Sequence, residues 1–430
     1  MPSLLDLSAE LKLTVVKHLG SERNNDILSI SRTCQVLREL VAPSLFKNIV
    51  LRNNEKSGNS VKEIRSGSYK DFVRAIHYEG MIRVLDGWTL HNADDQAEEP
   101  KEEHFPKCVE DILSNLSRFP KLEKLVVEFP CDDDDLARGF YNFDEEESYE
   151  QAVEVESEEA WRALMAKSYE AVGRNSQHSI KTLELRGLVA RQASSWNGQG
   201  FRNFLGGMES FIISIKGGNN DVGWCVNTLQ GYLEFITHLG NHFFDHLTNV
   251  TSFSFTATDE GPPGLEGLRH VPLPLLAHHM PHLQTLELGW IFINPQLLEF
   301  INSHHETLIS IRLEHTFSGA SCRLAENGIT WAEFFNSIHR AGPSKLKRLE
   351  ILPLESRLKE DEEDESMSPE AERVQSALDQ NPEKRLFSYA GLSSKYGMLF
   401  EYEENNIEQF ERGEDQRGYD RLMSLIKTNI

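Results

Sequence analysis

The stretch FPKLEKLVVEF, residues 119–129, contains the pattern on which the fold prediction rests. Leu122 is followed after two variable residues by Leu125, and after one more residue by Val127. Because side chains alternate between the two faces of a strand, Leu125 and Val127 would point to one side, so the pattern predicts a short strand. The pattern recurs at 180–185, 208–213, 250–255, 283–288, 308–313 and 346–351, with a degenerate first copy at 73–78.

The segments between these strands predict amphipathic helices, because apolar residues recur at helical spacing over 109–119, 158–172, 226–243, 296–304 and 331–340. Strand–loop–helix units in tandem resemble leucine-rich repeats, which stack into a curved parallel sheet with helices outside. The intervals between the middle anchors of successive strands are 58, 28, 42, 33, 25 and 38 residues, whereas standard repeats span about 20–29. The resemblance is therefore to an irregular α/β solenoid with insertions, and an ordinary α/β domain with parallel strands is the alternative.

The first fifty residues predict a compact helical unit. Leu7, Leu11 and Val15 fall at helical spacing, and Ser8 precedes them as an N-cap. A second apolar stripe follows Asp26 and contains Ile27, Ile30, Cys34, Leu37 and Val41. A unit this short buries too little surface to be stable alone, so it either covers the end of a larger body or offers apolar surface to a partner.

This helical unit resembles an F-box, in the divergent form common among fungal F-box proteins. The resemblance is carried by LLDLSAELKLTVVKHL, residues 4–19, and DILSISRTCQVLRELVAPSLF, residues 26–46. It implies docking on a Skp-type adaptor, which bridges to a cullin–RING ubiquitin ligase. The adaptor-binding residues that it implies are Leu7, Ser8, Glu10, Leu11, Val15, Leu28, Cys34, Leu37 and Leu40.

The formal net charge of −24 is concentrated in three acidic runs, at 92–104, 131–159 and 355–372. They carry charges of −5, −12 and −7, so the rest of the chain is balanced. Nucleic-acid binding would need an excess of Lys and Arg on one surface, so we expect no nucleic-acid partner. Dense acidic runs repel themselves and resist burial, so we interpret these segments as solvated insertions or linkers rather than a site for basic ligands.

These features predict a domain organisation with an F-box at 1–50, a linker at 51–71 and a degenerate repeat array at 72–354. The array contains the acidic insertions 92–104 and 131–159. An acidic linker at 355–380 then leads to a C-terminal cap at 381–430. The cap is predicted to consist of a hairpin, with strands near 386–389 and 396–402, and a terminal helix over 414–427, because its residues alternate and then recur at helical spacing.

The sequence predicts a cytoplasmic or nuclear protein. The N-terminus lacks the basic region of a signal peptide, and no stretch approaches the roughly 20 apolar residues of a membrane helix, so no membrane association is expected. The five cysteines are odd in number and widely spaced, which favours reduced thiols over a disulfide framework.

Motifs for catalysis or for cofactor binding are not found, so we expect neither an enzyme nor a cofactor. His238, His242 and His246 share one face of a predicted helix, but the Glu of a zinc-protease helix is missing and Gly240 weakens the helix. We therefore interpret them as packed or surface histidines and expect no metal site. His278–His279 and His304–His305 are adjacent pairs, which cannot point the same way on a helix.

The function predicted from the sequence is that of a non-enzymatic substrate receptor of a Skp–cullin–F-box ubiquitin ligase. The helical unit would bind the adaptor and cullin scaffold, and the repeat body would bind a target protein whose identity the sequence does not give. The alternative is an interaction scaffold outside the ligase, in which the degenerate F-box is only an N-terminal cap.

Overall fold

The computed structural model of the chain describes residues 8, 10–12, 14, 24–81, 105–130, 143–175, 179–220, 222–258, 262, 265–266, 269–320, 328–353, 358 and 367–429. The acidic run 92–104 lies outside these ranges, as do residues 131–142 of the second run and 359–366 of the third.

Two N-terminal helices, α1 (Asn24–Ser31) and α2 (Gln35–Leu45), precede the main sheet. The sheet strands and the short pair β7–β8 are β1 (Asn48–Arg52), β2 (Ala75–Glu79), β3 (Lys124–Glu128), β4 (Thr182–Leu188), β5 (Ser210–Ile215), β6 (Ser252–Thr256), β7 (Leu265–Glu266), β8 (Arg269–His270), β9 (Thr285–Ile293), β10 (Ser310–Ser318) and β11 (Arg348–Leu352). The helices between them are α3 (Glu55–Ser66), α4 (Lys107–Leu113), α5 (Tyr149–Glu158), α6 (Ala160–Gly173), α7 (Gln199–Gly206), α8 (Gln230–His242), α9 (Pro295–Ser303) and α10 (Trp331–Ala341). The C-terminal segment contains α11 (Pro369–Gln380), β12 (Ala390–Leu392), β13 (Leu399–Glu401), α12 (Glu403–Arg412) and α13 (Glu414–Thr428).

Nine strands form one parallel sheet in the order β1-β2-β3-β4-β5-β6-β9-β10-β11. Apart from the short antiparallel pair β7–β8, which lies between β6 and β9 in the chain, each strand pairs with the next one in sequence. The predicted α/β class with parallel strands is therefore confirmed, and every copy of the apolar pattern, including the degenerate copy at 73–78, lies at a strand of this sheet.

The middle apolar residue of each strand pairs with its equivalent in the next strand, so the nine strands share one register. The second apolar residue, two positions later, forms another row on the same face. Both rows are buried against the helices in one continuous core. The first row consists of Ile49, Ile76, Leu125, Leu183, Phe211, Phe253, Leu286, Ile311 and Leu349.

Strand β1 is an addition to the prediction. Its residues follow the same pattern, since Phe46 precedes Ile49 by three residues and Leu51 by five. Ile49 and Leu51 pair with Ile76 and Tyr78 of β2. The sequence divides this stretch between the end of the helical unit and the start of the linker, whereas the structure makes it the first strand of the sheet.

The structure differs from the predicted linker at 51–71. The end of β1, helix α3 and the 3₁₀ turn Ser68–Phe72 occupy these residues. Asn54 caps α3 by accepting a hydrogen bond from the Ser57 N–H at 2.8 Å, and Val61 is buried in the main core. Polar residues dominate α3, so its narrow apolar stripe is a weak sequence signal.

Two acidic segments also contain more structure than predicted. In the second run, Ser148 and Gln151 form a capping box that starts α5, and Ala152 is buried. In the predicted linker 355–380, Ser368 caps α11, and Ala371 and Val374 pack into a small separate core. Most acidic side chains of both helices are exposed, and the half-buried Glu156 of α5 accepts hydrogen bonds from Ser194, so these acidic segments can still fold.

The C-terminal segment contains a hairpin and the predicted terminal helix, but the first hairpin strand is Ala390–Leu392 and does not overlap the predicted 386–389. Helix α13 packs along α10, and its residues Tyr419, Leu422 and Ile426 are part of the main core. The hairpin also reaches back across the carboxyl ends of earlier strands. The Tyr396 carbonyl accepts a hydrogen bond from the Cys225 N–H at 2.7 Å, and the Gly397 carbonyl accepts one from Asn227 Nδ2 at 3.0 Å.

Candidate functional site

The adaptor-binding residues implied by the F-box resemblance lie on or before α1 and α2. Ile27 and Val41 are buried between these two helices and form a small core that is separate from the core of the sheet. Leu28, next to Ile27, is 41% exposed. Of the other implied residues, Ser8, Glu10 and Leu11 are exposed, Cys34 and Leu40 are half-buried, Leu37 is buried, and Leu7 and Val15 lie outside the described residues.

Val36 is an exposed apolar residue that the sequence analysis does not single out. It lies in the first turn of α2 and is 56% exposed, whereas its neighbour Leu37 is only 6% exposed. An apolar residue directly beside the apolar stripe of a helix, rather than in it, is the signal that could have marked Val36. Leu28 and Val36 thus add exposed apolar surface to both helices of the pair.

Ring stacking joins the helical pair to the sheet. The ring of Phe46, directly after α2, stacks on the ring of Tyr69, with 4.4 Å between centroids and 12° between planes. Tyr69 lies in the turn that leads to β2. The helical pair is therefore seated at the β1 end of the sheet.

The second candidate surface is the face of the sheet opposite the buried rows. On β2–β4 this open face carries charges that pair across strands. Glu184 lies 2.6 Å from Lys124 Nζ and 2.6 Å from Arg186 Nη2, and His77 Nε2 lies 2.7 Å from Glu128 Oε2. Partial burial acts to raise the pKa of Glu184, but the hydrogen bonds from Lys124 and Arg186 outweigh it, so the pKa is lowered. On β2–β4 the open face therefore carries acidic and basic side chains that pair with one another, rather than an excess of one charge.

The middle of the open face differs from this charged part. Strands β5 and β6 present uncharged side chains on the open face, namely Ile212 and the short hydroxyl residues Ser210, Ser214, Ser252, Ser254 and Thr256. Charged pairs return on β10 and β11. There Arg312 Nη2 lies 2.9 Å from Glu314, and Arg348 Nη2 lies 2.5 Å from Glu350. A neutral, hydroxyl-rich strip therefore separates two charged regions.

The carboxyl ends of the strands carry a repeated backbone feature. Gly187, Trp290 and His315 each lie two residues after the second buried anchor of their strand, and all three have positive φ, at 54°, 55° and 46°. Glycine adopts this left-handed conformation readily, whereas Trp and His adopt it at a cost of about 1–2 kcal/mol each. The ring centroids of Trp290 and His315 lie 4.6 Å apart. The Trp290 ring packs beside the C-terminal hairpin.

The three histidines considered as metal ligands do not share one helix. Helix α8 ends at His242, and His246 lies in the 3₁₀ turn Phe244–His246. His242 is buried beside the Trp196 ring, with 5.3 Å between ring centroids. Burial lowers the pKa of His242 to about 4, so its imidazole is neutral at physiological pH.

His278 and His279 converge on one carboxylate, contrary to the expectation drawn from helical geometry. They lie in a turn rather than a helix, and their Nε2 atoms lie 3.5 Å and 2.8 Å from Asp245 Oδ1. Nδ1 of His279 accepts a hydrogen bond from the Leu276 N–H at 3.0 Å, so its proton is on Nε2 and is donated to Asp245. Burial lowers the pKa of His279, which favours this neutral form.

Comparisons with known proteins give no match to this chain among family models, curated proteins or solved structures. A separate search of the described residues identifies no helix long and apolar enough to cross a membrane.

Proposed function

We propose that the chain is the substrate-recognition subunit of a Skp–cullin–F-box type ubiquitin ligase. In this proposal, α1, α2 and the segment before them bind a Skp-type adaptor, and the sheet body binds a target protein. The observation that carries the proposal is the exposure of Leu28 and Val36 on helices that keep a separate small core. Apolar side chains on so small a unit are the kind of surface that a partner covers.

The architecture of the body supports a degenerate leucine-rich-repeat-like solenoid. In doubly wound α/β folds both faces of a parallel sheet are covered, and the strands read as continuous apolar runs. Here β1, β5 and β6 alternate strictly between buried and open residues. Sequential strand order, one shared register and a single buried face together fit stacked repeats better than a doubly wound domain.

The role proposed for the body is to hold a target close to the ubiquitin-loading end of the ligase. Such a receptor contributes proximity and orientation rather than acid–base chemistry. The open face and the Trp290–His315 pair at its carboxyl end are the proposed target-binding surface. Backbone strain retained at non-glycine residues is typical of functional positions, which supports this choice.

The alternative is a protein-interaction scaffold in which the helical pair serves only as an N-terminal cap. The Phe46–Tyr69 stack and the burial of Leu37 favour it, because both tie the helices to the chain itself. A cap would need no adaptor, so the two proposals differ in what the helical pair binds.

Co-purification of the full-length chain from cells tests the two proposals. The ligase proposal expects the wild-type chain to retain both a Skp-type adaptor and a cullin, and the Leu28→Asp/Val36→Asp variant to lose both. Val153→Asp is the matched control, because Val153 is an apolar residue 44% exposed on helix α5 of the body. Retention of neither partner by the wild-type chain contradicts the ligase proposal and favours the cap.

A further inference from the structure

A small open pocket lies between the acidic segment before α5 and helix α8, with a cavity volume of about 10 Å³, enough for one water-sized ligand. One wall is formed by Glu146 and Glu147, and the opposite wall by Glu234, His238 and His242 of α8. Glu234, His238 and His242 follow one another at intervals of four residues, so they form one stripe along the helix.

Three of these side chains place ligand atoms close together. A carboxylate oxygen of Glu146, a carboxylate oxygen of Glu234 and a ring nitrogen of His238 all lie within 4.8 Å of one another. Gln230 Nε2 donates a hydrogen bond to Glu234 Oε1 at 2.8 Å, which orients that carboxylate. Supporting hydrogen bonds of this kind are typical of ligands to metal ions.

The segment that carries Glu146 is fixed on both sides. Glu147 forms two 2.8 Å hydrogen bonds with the buried guanidinium of Arg162. A Cβ atom at Gly231 would lie 2.3 Å from the Glu145 carbonyl oxygen, so only glycine lets the segment approach α8 this closely. Glu146 is thus held at the mouth of the pocket before any ligand arrives.

A second and independent observation lies at the buried wall. The His242 side chain is 93% buried and lines the same pocket, and its Nδ1 atom has no hydrogen-bond partner within the described part of the chain. Leaving a buried ring nitrogen unsatisfied costs about 1–3 kcal/mol, and a bound ion or its water ligand would satisfy it. Arg191 also lines the pocket, but its guanidinium lies over the Phe143 ring, 4.1 Å from the centroid.

We propose that Glu146, Glu234 and His238 bind a divalent transition metal, best matched by Zn²⁺, and that the unpartnered His242 ring accepts a hydrogen bond from a water ligand of the ion. Two carboxylates balance the charge of a divalent ion, and mixed nitrogen and oxygen ligands suit Zn²⁺ better than Mg²⁺ or Ca²⁺. The metal would join the acidic segment to α8. The site stands apart from the proposed ligase role.

The cluster of Asp245, His278 and His279 offers one carboxylate and two imidazoles within the same distance of one another, but it is less suited to a metal. Nδ1 of His279 already accepts a backbone hydrogen bond, so Nε2 carries the proton that a metal would have to displace. A neutral imidazole can bind a metal through Nε2 only when Nδ1 carries the proton. This cluster therefore provides a matched control.

Titration calorimetry of the full-length chain with Zn²⁺ alone tests the proposal, with Co²⁺ absorption as a second readout of coordination. The wild-type chain is expected to bind one Zn²⁺ with submicromolar affinity. Both Glu146→Gln and the Glu234→Gln/His238→Gln double variant should weaken it at least about 100-fold. Glu146 is exposed, so Glu146→Gln keeps the test valid if the double variant fails to fold.

The Asp245→Asn control should bind Zn²⁺ as the wild-type chain does. His242→Phe should weaken binding and alter the Co²⁺ spectrum, because it removes the ring nitrogen that accepts a hydrogen bond from a metal-bound water. Absence of Zn²⁺ binding, binding that Glu146→Gln leaves unchanged, or loss of binding in Asp245→Asn would each overturn the proposal.

Discussion

The helical pair α1–α2 and the nine-stranded sheet both bury apolar side chains, but the core of the sheet is much larger. In the sheet, each strand adds two anchors to rows that run through one continuous core, and Leu183 and Phe211 at its centre are fully buried. In the helical pair, the core consists of Ile27 and Val41 with a few partly buried neighbours. Burial of apolar surface rises with size, so the small pair encloses little apolar surface and leaves Leu28 and Val36 exposed beside its core. The strands of the sheet expose large apolar side chains at Val50 and Leu352, on its two edge strands.

This difference separates residues that stabilise the chain from residues that are available to a partner. The apolar face of the sheet is already covered by the chain's own helices, so substitutions there should change stability. Leu28 and Val36 are exposed, so substitutions there should change binding instead. The following predictions test this separation, starting with the largest expected effect.

Leu183→Ala should lower the free energy of unfolding of the sheet body by about 4 kcal/mol. Leu183 is fully buried, so the substitution leaves a cavity in the continuous core. Chemical denaturation monitored by tryptophan fluorescence measures the effect. Ile27→Ala in the helical pair is the matched control and should leave the main transition within about 0.5 kcal/mol. Equal shifts for both variants would mean that the two regions fold as one unit.

Glu147→Gln should destabilise the body by about 3 kcal/mol, because it leaves the guanidinium of Arg162 buried without its counter-ion. The same denaturation experiment measures the effect. Glu79→Gln is the control, since its partner Arg52 is 64% exposed and surface ion pairs contribute about 0–1 kcal/mol. A loss at Glu147 no larger than that at Glu79 would contradict the buried pairing.

Asp415→Asn tests whether the C-terminal segment belongs to the body. Asp415 accepts hydrogen bonds from the Ala332 N–H at 2.7 Å and the Tyr389 hydroxyl at 2.8 Å, and burial raises its pKa to about 6. A folded-state pKa above the unfolded value means that the folded chain binds the proton more tightly. The proton bound to Asp415 therefore stabilises the fold at low pH, and this stabilisation is lost as the pH rises through about 6.

Asparagine cannot lose a proton, so the stability of Asp415→Asn relative to the wild-type chain should rise by about 2 kcal/mol from pH 4 to pH 7. Denaturation curves at the two pH values measure it. A pH-independent difference between the two chains would show that Asp415 ionises without cost and that the segment is not locked onto α10.

Leu28→Asp/Val36→Asp should change the free energy of unfolding by no more than about 0.5 kcal/mol, because both side chains are exposed. Leu37→Asp, at the buried neighbour, should instead melt the helical pair. Circular dichroism during thermal unfolding distinguishes the two variants. If the exposed substitutions unfolded the pair as Leu37→Asp does, they would not be usable as binding variants.

The sequence was sufficient to predict the sheet because each strand carries its own local signal. The spacing of Leu122, Leu125 and Val127 recurs wherever a predicted strand occurs, and strand alternation needs no information from distant residues. Strand β1 has this signal too, but the predicted boundary between the helical unit and the linker lies between Ile49 and Leu51 and hides the pattern. Helix α3 was missed because its apolar stripe is narrow among polar residues.

The candidate sites depend on contacts that no local pattern contains. Glu146 and Glu234 are distant in the sequence, and only the close approach of the segment at Gly231 brings them together. The sequence places His238, His242 and His246 on one helix and predicts no metal site there. In the structure α8 ends at His242, and Glu234 rather than His246 shares the stripe with His238 and His242. The left-handed backbone of Trp290 and His315 likewise has no counterpart in composition, because such strain is imposed by the surrounding fold.

The most direct test of the ligase proposal is the affinity of the purified full-length chain for a purified Skp-type adaptor, measured by titration calorimetry. We predict one-to-one binding by the wild-type chain and by Val153→Asp. We also predict at least about 100-fold weaker binding by Leu28→Asp/Val36→Asp, since two central apolar contacts contribute about 1.4 kcal/mol or more each. Absence of binding by the wild-type chain, or equal affinity for all three chains, would contradict the account.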